Sequence, residues 1–140
     1  MSCDRATQLR AFALRYTAAW CSQDAASVAA FFSPDGALTI NSGAPAAGRD
    51  AITAAAQGFM SAFPDLKVSM DELLDEGDRV VYRWTLEGTH TGPGRSGRRV
   101  RISGFEEWRI GADGLVATSQ GHFDGADYQR QIELGFDGGD

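Results

Sequence analysis

One acidic residue interrupts an otherwise apolar strand face in the second half of the chain. Glu106 stands in line with Val100, Ile102, Trp108 and Ile110, which alternate along a period-two segment. A carboxylate among core positions must be hydrogen-bonded, be protonated or face a cavity, because burying it bare is costly. Aromatic surroundings disfavour the charged form and raise its pKa, which suits a general base that removes a proton alpha to a carbonyl.

The last predicted strand carries a second candidate row of polar side chains. Its even-numbered positions are Val116, Thr118, Gln120, His122 and Asp124. Such a row is either a solvated face or the lining of a wet pocket. We predict that it lines a cavity shared with Glu106, Tyr16 and Trp20. Glu106 and Asp124 on neighbouring strands would then divide the acid and base roles.

The two carboxylates also have ordinary structural interpretations. Glu106 could be a paired structural carboxylate, and Asp124 could cap the helix predicted after it. For a pocket carboxylate, Glu106→Leu should leave stability unchanged or raise it by about 1–2 kcal/mol. For a carboxylate that holds buried partners, the same change should cost several kcal/mol.

The remaining candidate site residues also have structural interpretations. His90 stands at a strand end, where an exposed histidine is common, and Asn41 lies in a predicted loop. Tyr16 and Trp20 fit a helix core, although both side chains can present a polar edge to a pocket. No Ser/His/Asp ordering stands out, and the two histidines and two cysteines have no metal-ligand spacing.

The first third of the chain predicts helices, because apolar side chains recur at steps of three and four residues. The recurring residues are Leu9, Phe12, Tyr16 and Trp20, in a helix from about residue 4 to residue 20. The elements predicted next are a short helix after residue 24, a turn at 33–36, a strand at 37–40, a loop at 41–48 and a helix at 49–63. Pro64 should end the last of these helices.

After Pro64 the apolar period changes to two, so the second part of the chain predicts strands. The predicted segments are strands near 66–71, 80–87, 100–110 and 115–123, a glycine-rich loop at 92–97 and a terminal helix at 126–134. Four strands joined by short turns should form an antiparallel meander. Helices followed by a meander indicate an α+β fold with helices packed on one face of a sheet.

Composition predicts one globular domain over residues 1–140 and excludes several function classes. The chain is 43% hydrophobic and 23% charged, and its net charge of −6 argues against nucleic acid as a partner. No apolar run approaches the ~18 residues of a membrane-spanning helix. The first residues lack the apolar stretch of a signal peptide, so we expect a cytoplasmic protein without membrane association.

Several short sequence motifs are distributed along nearly the whole chain. They are Phe32-Ser33-Pro34-Asp35-Gly36, Gly48-Arg49-Asp50-Ala51-Ile52, Phe63-Pro64-Asp65-Leu66, Gly88-Thr89-His90-Thr91-Gly92, Trp108-Arg109-Ile110 and Phe123-Asp124. Together with the element order, they resemble the SnoaL-like polyketide cyclases of the nuclear transport factor 2-like (ketosteroid isomerase-like) superfamily. The resemblance implies a cone-shaped fold, in which N-terminal helices pack in a strongly curved antiparallel sheet with a pocket at the open end.

The resemblance also implies roles for particular residues. The family's aspartate at the end of the last strand, a general acid/base in an intramolecular aldol ring closure, corresponds to Asp124. The family's pocket histidine on the preceding strand corresponds to Glu106, and an aromatic four residues before the aspartate corresponds to Gln120. His90 matches a histidine in a Gly-x-His-x-Gly-like turn. We therefore predict Asp124, Glu106 and His90 as catalytic. The predicted substrate-binding residues are Tyr16, Trp20, Asn41, Trp84, Gln120 and His122.

Three functions compete at this point. The first is an acid/base enzyme that needs no metal or organic cofactor and cyclises or isomerises a small apolar carbonyl compound. The second is a non-catalytic binding module for an apolar ligand, and the third is a dimerisation domain with a vestigial pocket. The superfamily resemblance further implies a homodimer that pairs through the outer sheet face. The residues predicted on that face are Val81, Arg83, Thr85, Arg101, Ser103 and Phe105.

Overall fold

Four helices and six strands make up the part of the chain that the computed structural model describes, residues 4–41, 43–90 and 99–134. The helices are α1 (Asp4–Cys21), α2 (Ala25–Ala29), α3 (Arg49–Ala62) and α4 (Gly125–Leu134). The strands are β1 (Phe32–Ile40), β2 (Ala46–Ala47), β3 (Lys67–Asp75), β4 (Val80–Thr89), β5 (Arg99–Ile110) and β6 (Val116–Phe123). The predicted glycine-rich loop at 92–97 lies outside the described residues.

The sequence-based boundaries fail mainly around β1. The predicted turn at 33–36 is wrong, because these residues belong to a strand that begins at Phe32. Phe32 pairs with Val116 whereas Ala37 pairs with Thr118, so four residues of β1 are taken up in an irregular bulge. The turn-forming residues therefore bend a strand without reversing the chain. The predicted loop at 41–48 likewise contains the two-residue strand β2.

The six strands form one curved sheet in the order β2-β1-β6-β5-β4-β3. The predicted meander is confirmed, because β3, β4, β5 and β6 pair antiparallel with their neighbours in sequence. The sheet is not antiparallel throughout, since β1 runs parallel to β6. This pairing places the first strand beside the last, a non-local contact that alternation along either strand does not reveal.

The helices cover one face of the sheet, as an α+β fold requires, and the core lies between the two layers. From α1, the rings of Phe12 and Tyr16 lie 5.8 and 5.2 Å from the ring of Trp108 on β5. The Tyr16 ring is also 5.4 Å from that of Tyr82 on β4. The helical face that contains Tyr16 therefore contacts the centre of the sheet, which we call its inner face.

Helix α4 covers a part of β5 that β6 does not reach. Pairing between these strands ends where Gly104 meets Phe123. Beyond that point, the Gln131 side chain accepts a hydrogen bond of 2.6 Å from the backbone N–H of Arg101, which satisfies a donor at the strand edge. The Tyr128 ring on the same helix lies 5.5 Å from the Phe123 ring, so α4 also supports the end of β6.

Candidate active site

Glu106 is buried at the centre of the inner face, with 7% of its surface exposed. Its cross-strand partners are Tyr82 on β4 and Gly121 on β6. Because directly paired residues share a face of the sheet, all three positions point toward the helices. The inward direction predicted for Glu106 from the alternation of β5 is therefore confirmed.

Three side chains donate hydrogen bonds to the Glu106 carboxylate. The Trp108 indole Nε1 and the Ser119 hydroxyl lie 2.8 and 2.7 Å from Oε1. The Tyr16 hydroxyl lies 3.1 Å from both carboxylate oxygens. Among the described residues, Oε1 thus receives two short bonds, whereas Oε2 receives only the bond shared by Tyr16. Oε2 is therefore the oxygen with acceptor capacity left for a proton or a ligand.

The surroundings of Glu106 disfavour its negative charge. Burial raises the pKa of Glu106 above its ordinary value of 4.5, against the lowering effect of the hydrogen bonds from Trp108, Ser119 and Tyr16. Burial, followed by the charge of Glu106, raises the pKa of Tyr16 well above its usual value. The Tyr16 hydroxyl therefore remains a donor at neutral pH, while Glu106 has the elevated pKa that general acid/base catalysis uses.

Glu106 is the only charged residue that lines an apolar cavity of about 60 Å³ among the described residues. The aromatic lining residues are Trp20, Phe59, Tyr82, Trp84 and Phe123. The aliphatic ones are Leu38, Ile40, Val68, Leu86 and Ile102. Ile40, Phe59, Trp84 and Phe123 are partly exposed, so they form the rim. The Trp84 indole N–H is buried and has no hydrogen-bond partner within the described ranges.

The prediction that the even face of β6 shares this cavity is wrong. Gly121 pairs with Glu106, and Ser119 pairs with Trp108, so the odd-numbered residues face inward over this stretch. His122 pairs with Phe105 and Gln120 pairs with Glu107, which places both side chains on the outer face of the sheet. The even-numbered row of β6 therefore lies mostly on the solvated face of the sheet, which was the alternative to a pocket lining.

Asp124 and His122 lie beside a groove on the outer face, away from the cavity. Asp124 is exposed, and its carboxylate accepts a 3.0 Å hydrogen bond from the backbone N–H of Asp127 in the first turn of α4. This is the N-cap arrangement that the sequence left as an alternative. The His122 ring stacks 4.7 Å from the Phe105 ring and hydrogen-bonds Glu107 at 3.0 Å. The structure therefore does not bring Asp124 to Glu106.

Asn41 and Gln120 connect β1 to β6. Asn41 adopts a left-handed backbone conformation, with a φ of 52°, at the end of β1. Its side-chain Oδ1 accepts a 2.9 Å hydrogen bond from the backbone N–H of Phe123, and its carbonyl accepts one of 3.0 Å from the Gln120 amide. Both residues predicted to bind substrate therefore hold the strand end, and neither lines the cavity.

His90 is buried at the end of β4, with 5% of its surface exposed, so the exposed position considered from sequence is wrong. Its ring lies 5.5 Å from the Phe63 ring, and its Nδ1 has no hydrogen-bond partner among the described residues. His90 does not line the cavity that contains Glu106. The structure therefore separates His90 from Glu106, the predicted catalytic residue that lines the cavity.

Of the predicted site residues, Glu106, Trp20 and Trp84 line the cavity, and Tyr16 lies directly behind the carboxylate. Sequence reasoning missed Ser119, Trp108 and Gly121 as its immediate neighbours. Trp108 carried a usable signal, because it lies two residues from Glu106 on the same strand face. The odd row of β6 is also less polar than the even row, which is the ordinary mark of an inward face.

Two other classes of feature are not found within residues 4–41, 43–90 and 99–134. No helix there is long and apolar enough to cross a membrane. No three histidine, cysteine, aspartate or glutamate side chains there come close enough together to hold a metal ion.

Solved structures similar to this chain come from several bacteria. TsrD from Streptomyces laurentii is 28% identical, with a TM-score of 0.79 over 92% of this chain and 96% of its own. AclR from Streptomyces galilaeus, described as a candidate hydroxylase, is 27% identical, with a TM-score of 0.77 over 91% of this chain and 82% of its own. A protein of ketosteroid isomerase-like fold from Catenulispora acidiphila, in complex with trimethylamine, is 17% identical, with a TM-score of 0.78 over 88% and 92% of the two chains.

The similarity extends to a sequence family. No functionally curated protein matches the sequence. The family model of the SnoaL-like polyketide cyclases, in contrast, matches residues 10–132, which include α2, α3, all six strands and most of α1 and α4. The implied cone-shaped fold agrees with these relatives and with the observed α+β architecture. The chain therefore belongs to the SnoaL-like polyketide cyclase family.

Proposed function

We propose that this protein is an acid/base enzyme that cyclises or isomerises a small apolar carbonyl compound, with Glu106 as general base and acid. One observation carries the proposal: a buried carboxylate with one under-used oxygen, Oε2, lines an apolar cavity. Family membership supports a reaction of the cyclase or isomerase type. Asp124, which the resemblance put forward for this role, caps α4 and does not line the cavity.

The reaction requires proton transfers through Oε2 alone. Oε2 takes a proton from the carbon alpha to the ligand's carbonyl, and the electron pair of that C–H bond moves to the carbonyl oxygen as an enolate. The enolate carbon then attacks a second carbonyl of the same molecule, whose oxygen becomes an alkoxide, or a conjugated enolate takes the proton at a different carbon. In both cases the protonated Glu106 returns its proton to the product. The raised pKa favours the first transfer, because it makes the carboxylate a stronger base.

The neighbours of Glu106 have separate tasks in this scheme. Trp108 and Ser119 hold Oε1, which keeps the carboxylate plane fixed while Oε2 changes protonation state. The Tyr16 hydroxyl contacts both oxygens, so its hydrogen bond can move to Oε1 when Oε2 is protonated. Trp84 also lines the cavity, and its buried indole N–H has no hydrogen-bond partner among the described residues.

A binding module without turnover is the second candidate function. It is favoured by the three donors that hold Glu106, because such a network also satisfies a purely structural carboxylate. Both candidates take an apolar ligand into the same cavity. They differ in whether a proton moves between that ligand and Glu106.

Proton exchange into a simple ketone separates the two candidates. Acetophenone is incubated with the protein in D2O, and deuterium in its methyl group is measured by NMR. We expect catalysed exchange that falls at least 100-fold in Glu106→Gln, which keeps the shape of the side chain. Glu107→Gln is the matched control, because Glu107 is the next residue but lies on the outer face with Arg79 and His122. Binding without exchange in the wild-type protein would establish the second candidate instead.

A further inference from the structure

Gly121 occupies the position directly opposite Glu106 and lines the cavity. A glycine inside a strand lowers stability, because it contributes no packing and loses more backbone freedom on folding than other residues. In strands, glycine marks a bulge, a bend or a place where another group approaches closely. The reason for glycine at this position can therefore be sought in the structure.

Neither the backbone nor the packing requires glycine at 121. Its φ lies outside the left-handed region, and the irregularity in the β5–β6 pairing falls between Arg109 and Ile110. A Cβ built at 121 would lie 3.5 Å from the Thr39 carbonyl oxygen and 3.8 Å from Glu106 Cγ. Both are ordinary contact distances, so an alanine would fit the fold.

Gly104, the neighbouring glycine on the inner face of β5, provides a contrast. A Cβ there would lie 2.6 Å from Trp84 Cζ2 and would collide with the carbonyl oxygen of His122. Packing of the Trp84 indole across β5 therefore explains Gly104 fully. The same explanation does not apply to Gly121, where a Cβ would fit at ordinary contact distances, one of them to Glu106 Cγ.

We propose that Gly121 determines ligand specificity: its missing side chain leaves the subsite that receives the carbon from which Glu106 takes a proton. This inference rests on the proposed function. The cavity is only about 60 Å³, so a single added methyl group is a substantial change. The carbonyl end of the ligand lies over Gly121, and the rest extends toward the rim, where the partly exposed Trp84 and Phe123 rings contact each other edge to face at 6.0 Å. The substrate class is a small aryl ketone with an unbranched alpha carbon, because the cavity is small and five aromatic side chains line it.

The test adds bulk separately to the protein and to the ligand. The probes are acetophenone, propiophenone and isobutyrophenone, which carry zero, one and two methyl groups on the alpha carbon. Their affinities are measured by NMR titration of the wild-type protein, Gly121→Ala and Gly121→Val. The control is Gly58→Ala, because Gly58 lies on α3 and a Cβ there would meet no packing neighbour within 4 Å among the described residues.

We expect wild-type affinity to fall along the ligand series and to be unchanged within twofold in Gly58→Ala. Gly121→Ala should weaken acetophenone binding about tenfold and propiophenone binding further, with a melting temperature no lower than that of the wild type. Gly121→Val should show no measurable binding. A clear fall in the melting temperature of Gly121→Ala would instead mean that packing requires the glycine, and would overturn the inference.

The outcomes distinguish this inference from the proposed function. If Gly121→Ala binds all three ketones within twofold of the wild type, the subsite is wrong, whereas Glu106-dependent exchange would still support the enzyme. Size-graded binding without exchange would contradict the enzyme and would leave Gly121 as a determinant of ligand size in a binding module. If the wild-type protein binds none of the ketones, both are overturned.

Discussion

The Tyr16 hydroxyl lies 3.1 Å from each oxygen of the Glu106 carboxylate, although the two residues are 90 positions apart in the chain. This contact joins the first helix to the centre of the sheet. It also leaves Oε2 with a weaker set of hydrogen bonds than Oε1, which Trp108 and Ser119 hold more tightly. The same residues therefore support the fold and set the reactivity of the carboxylate.

Removing the carboxylate should be costly. Glu106→Leu leaves the Trp108 indole, the Ser119 hydroxyl and the Tyr16 hydroxyl as buried donors without an acceptor. We expect a loss of about 3 kcal/mol or more in the free energy of unfolding. This replaces the neutral or stabilising effect that the sequence led us to expect for a pocket carboxylate, because Glu106 lines the cavity and also holds three buried donors. Glu106→Gln keeps an acceptor oxygen for Trp108 and Ser119, so urea denaturation should show a smaller loss, about 1 kcal/mol. Equal stability of the leucine variant and the wild type would contradict this network.

The stability contributed by Glu106 should depend on pH in a defined direction. Its pKa is raised in the folded state, so the folded protein binds this proton more tightly than the unfolded chain does. The stabilising effect is complete below the ordinary pKa of 4.5 and is lost as the pH rises through the folded value. The stability of the wild type relative to Glu106→Gln should therefore fall as the pH rises from below 4.5. Parallel urea titrations at several pH values measure this difference, and an increase with pH would contradict a raised pKa.

Ser119 should tune the pH dependence of proton exchange. Its hydrogen bond favours the charged form of Glu106, so Ser119→Ala should raise the pKa of that carboxyl further. The midpoint of the exchange-rate profile should move to higher pH, with a stability loss of about 1 kcal/mol. Ser103→Ala is the control, because its hydroxyl bonds Thr85 on the outer face at 2.8 Å. A loss of stability without any movement of the profile would limit Ser119 to a structural role.

Asp124 should contribute to stability and not to catalysis. Asp124→Ala removes the side-chain cap of α4 and should cost about 1 kcal/mol, whereas Asp124→Asn retains a capping oxygen and should cost much less. Neither change should alter exchange into acetophenone by more than about twofold, because Asp124 does not line the cavity. Thermal melts and exchange rates on both variants provide the measurement. A large loss of exchange in Asp124→Asn would restore the catalytic role that the resemblance implied.

We also propose the homodimer that the resemblance implied, with the outer sheet face as its interface. Phe105 is partly exposed there, between the Arg83 guanidinium at 5.8 Å and the stacked His122 ring. Sedimentation at micromolar concentration should give a species of twice the 15.0 kDa chain mass. Phe105→Lys should weaken association about tenfold or more, because it places an unpaired charge beside Arg83 in the interface.

The control for the dimer is a lysine on a different surface. Leu14 on α1 is 47% exposed, and Leu14→Lys should leave the sedimentation behaviour unchanged. A 15.0 kDa species in the wild-type protein would reject the dimer, and equal effects of both lysines would reject the proposed face.

Local pattern was enough to predict the meander and the inward direction of Glu106. Alternation along β5 assigns Glu106 to the same face as Val100, Ile102 and Trp108, because successive side chains of a strand point to opposite faces. In the same way, Pro64 and the loss of helical periodicity predicted the end of α3. These features depend on residues within a few positions of one another, so the sequence contains all that determines them.

The partners of Glu106 were decided by tertiary structure alone. Alternation divides β6 into two faces but does not say which one joins the carboxylate, and the more polar face proved to be the outer one. The choice depends on the register that pairs Glu106 with Gly121, and a slip of one residue would exchange the two faces. The contact from Tyr16 likewise depends on where α1 packs across the sheet. Both are long-range contacts, whose geometry is set by the packing of whole elements and not by the residues adjacent in the chain.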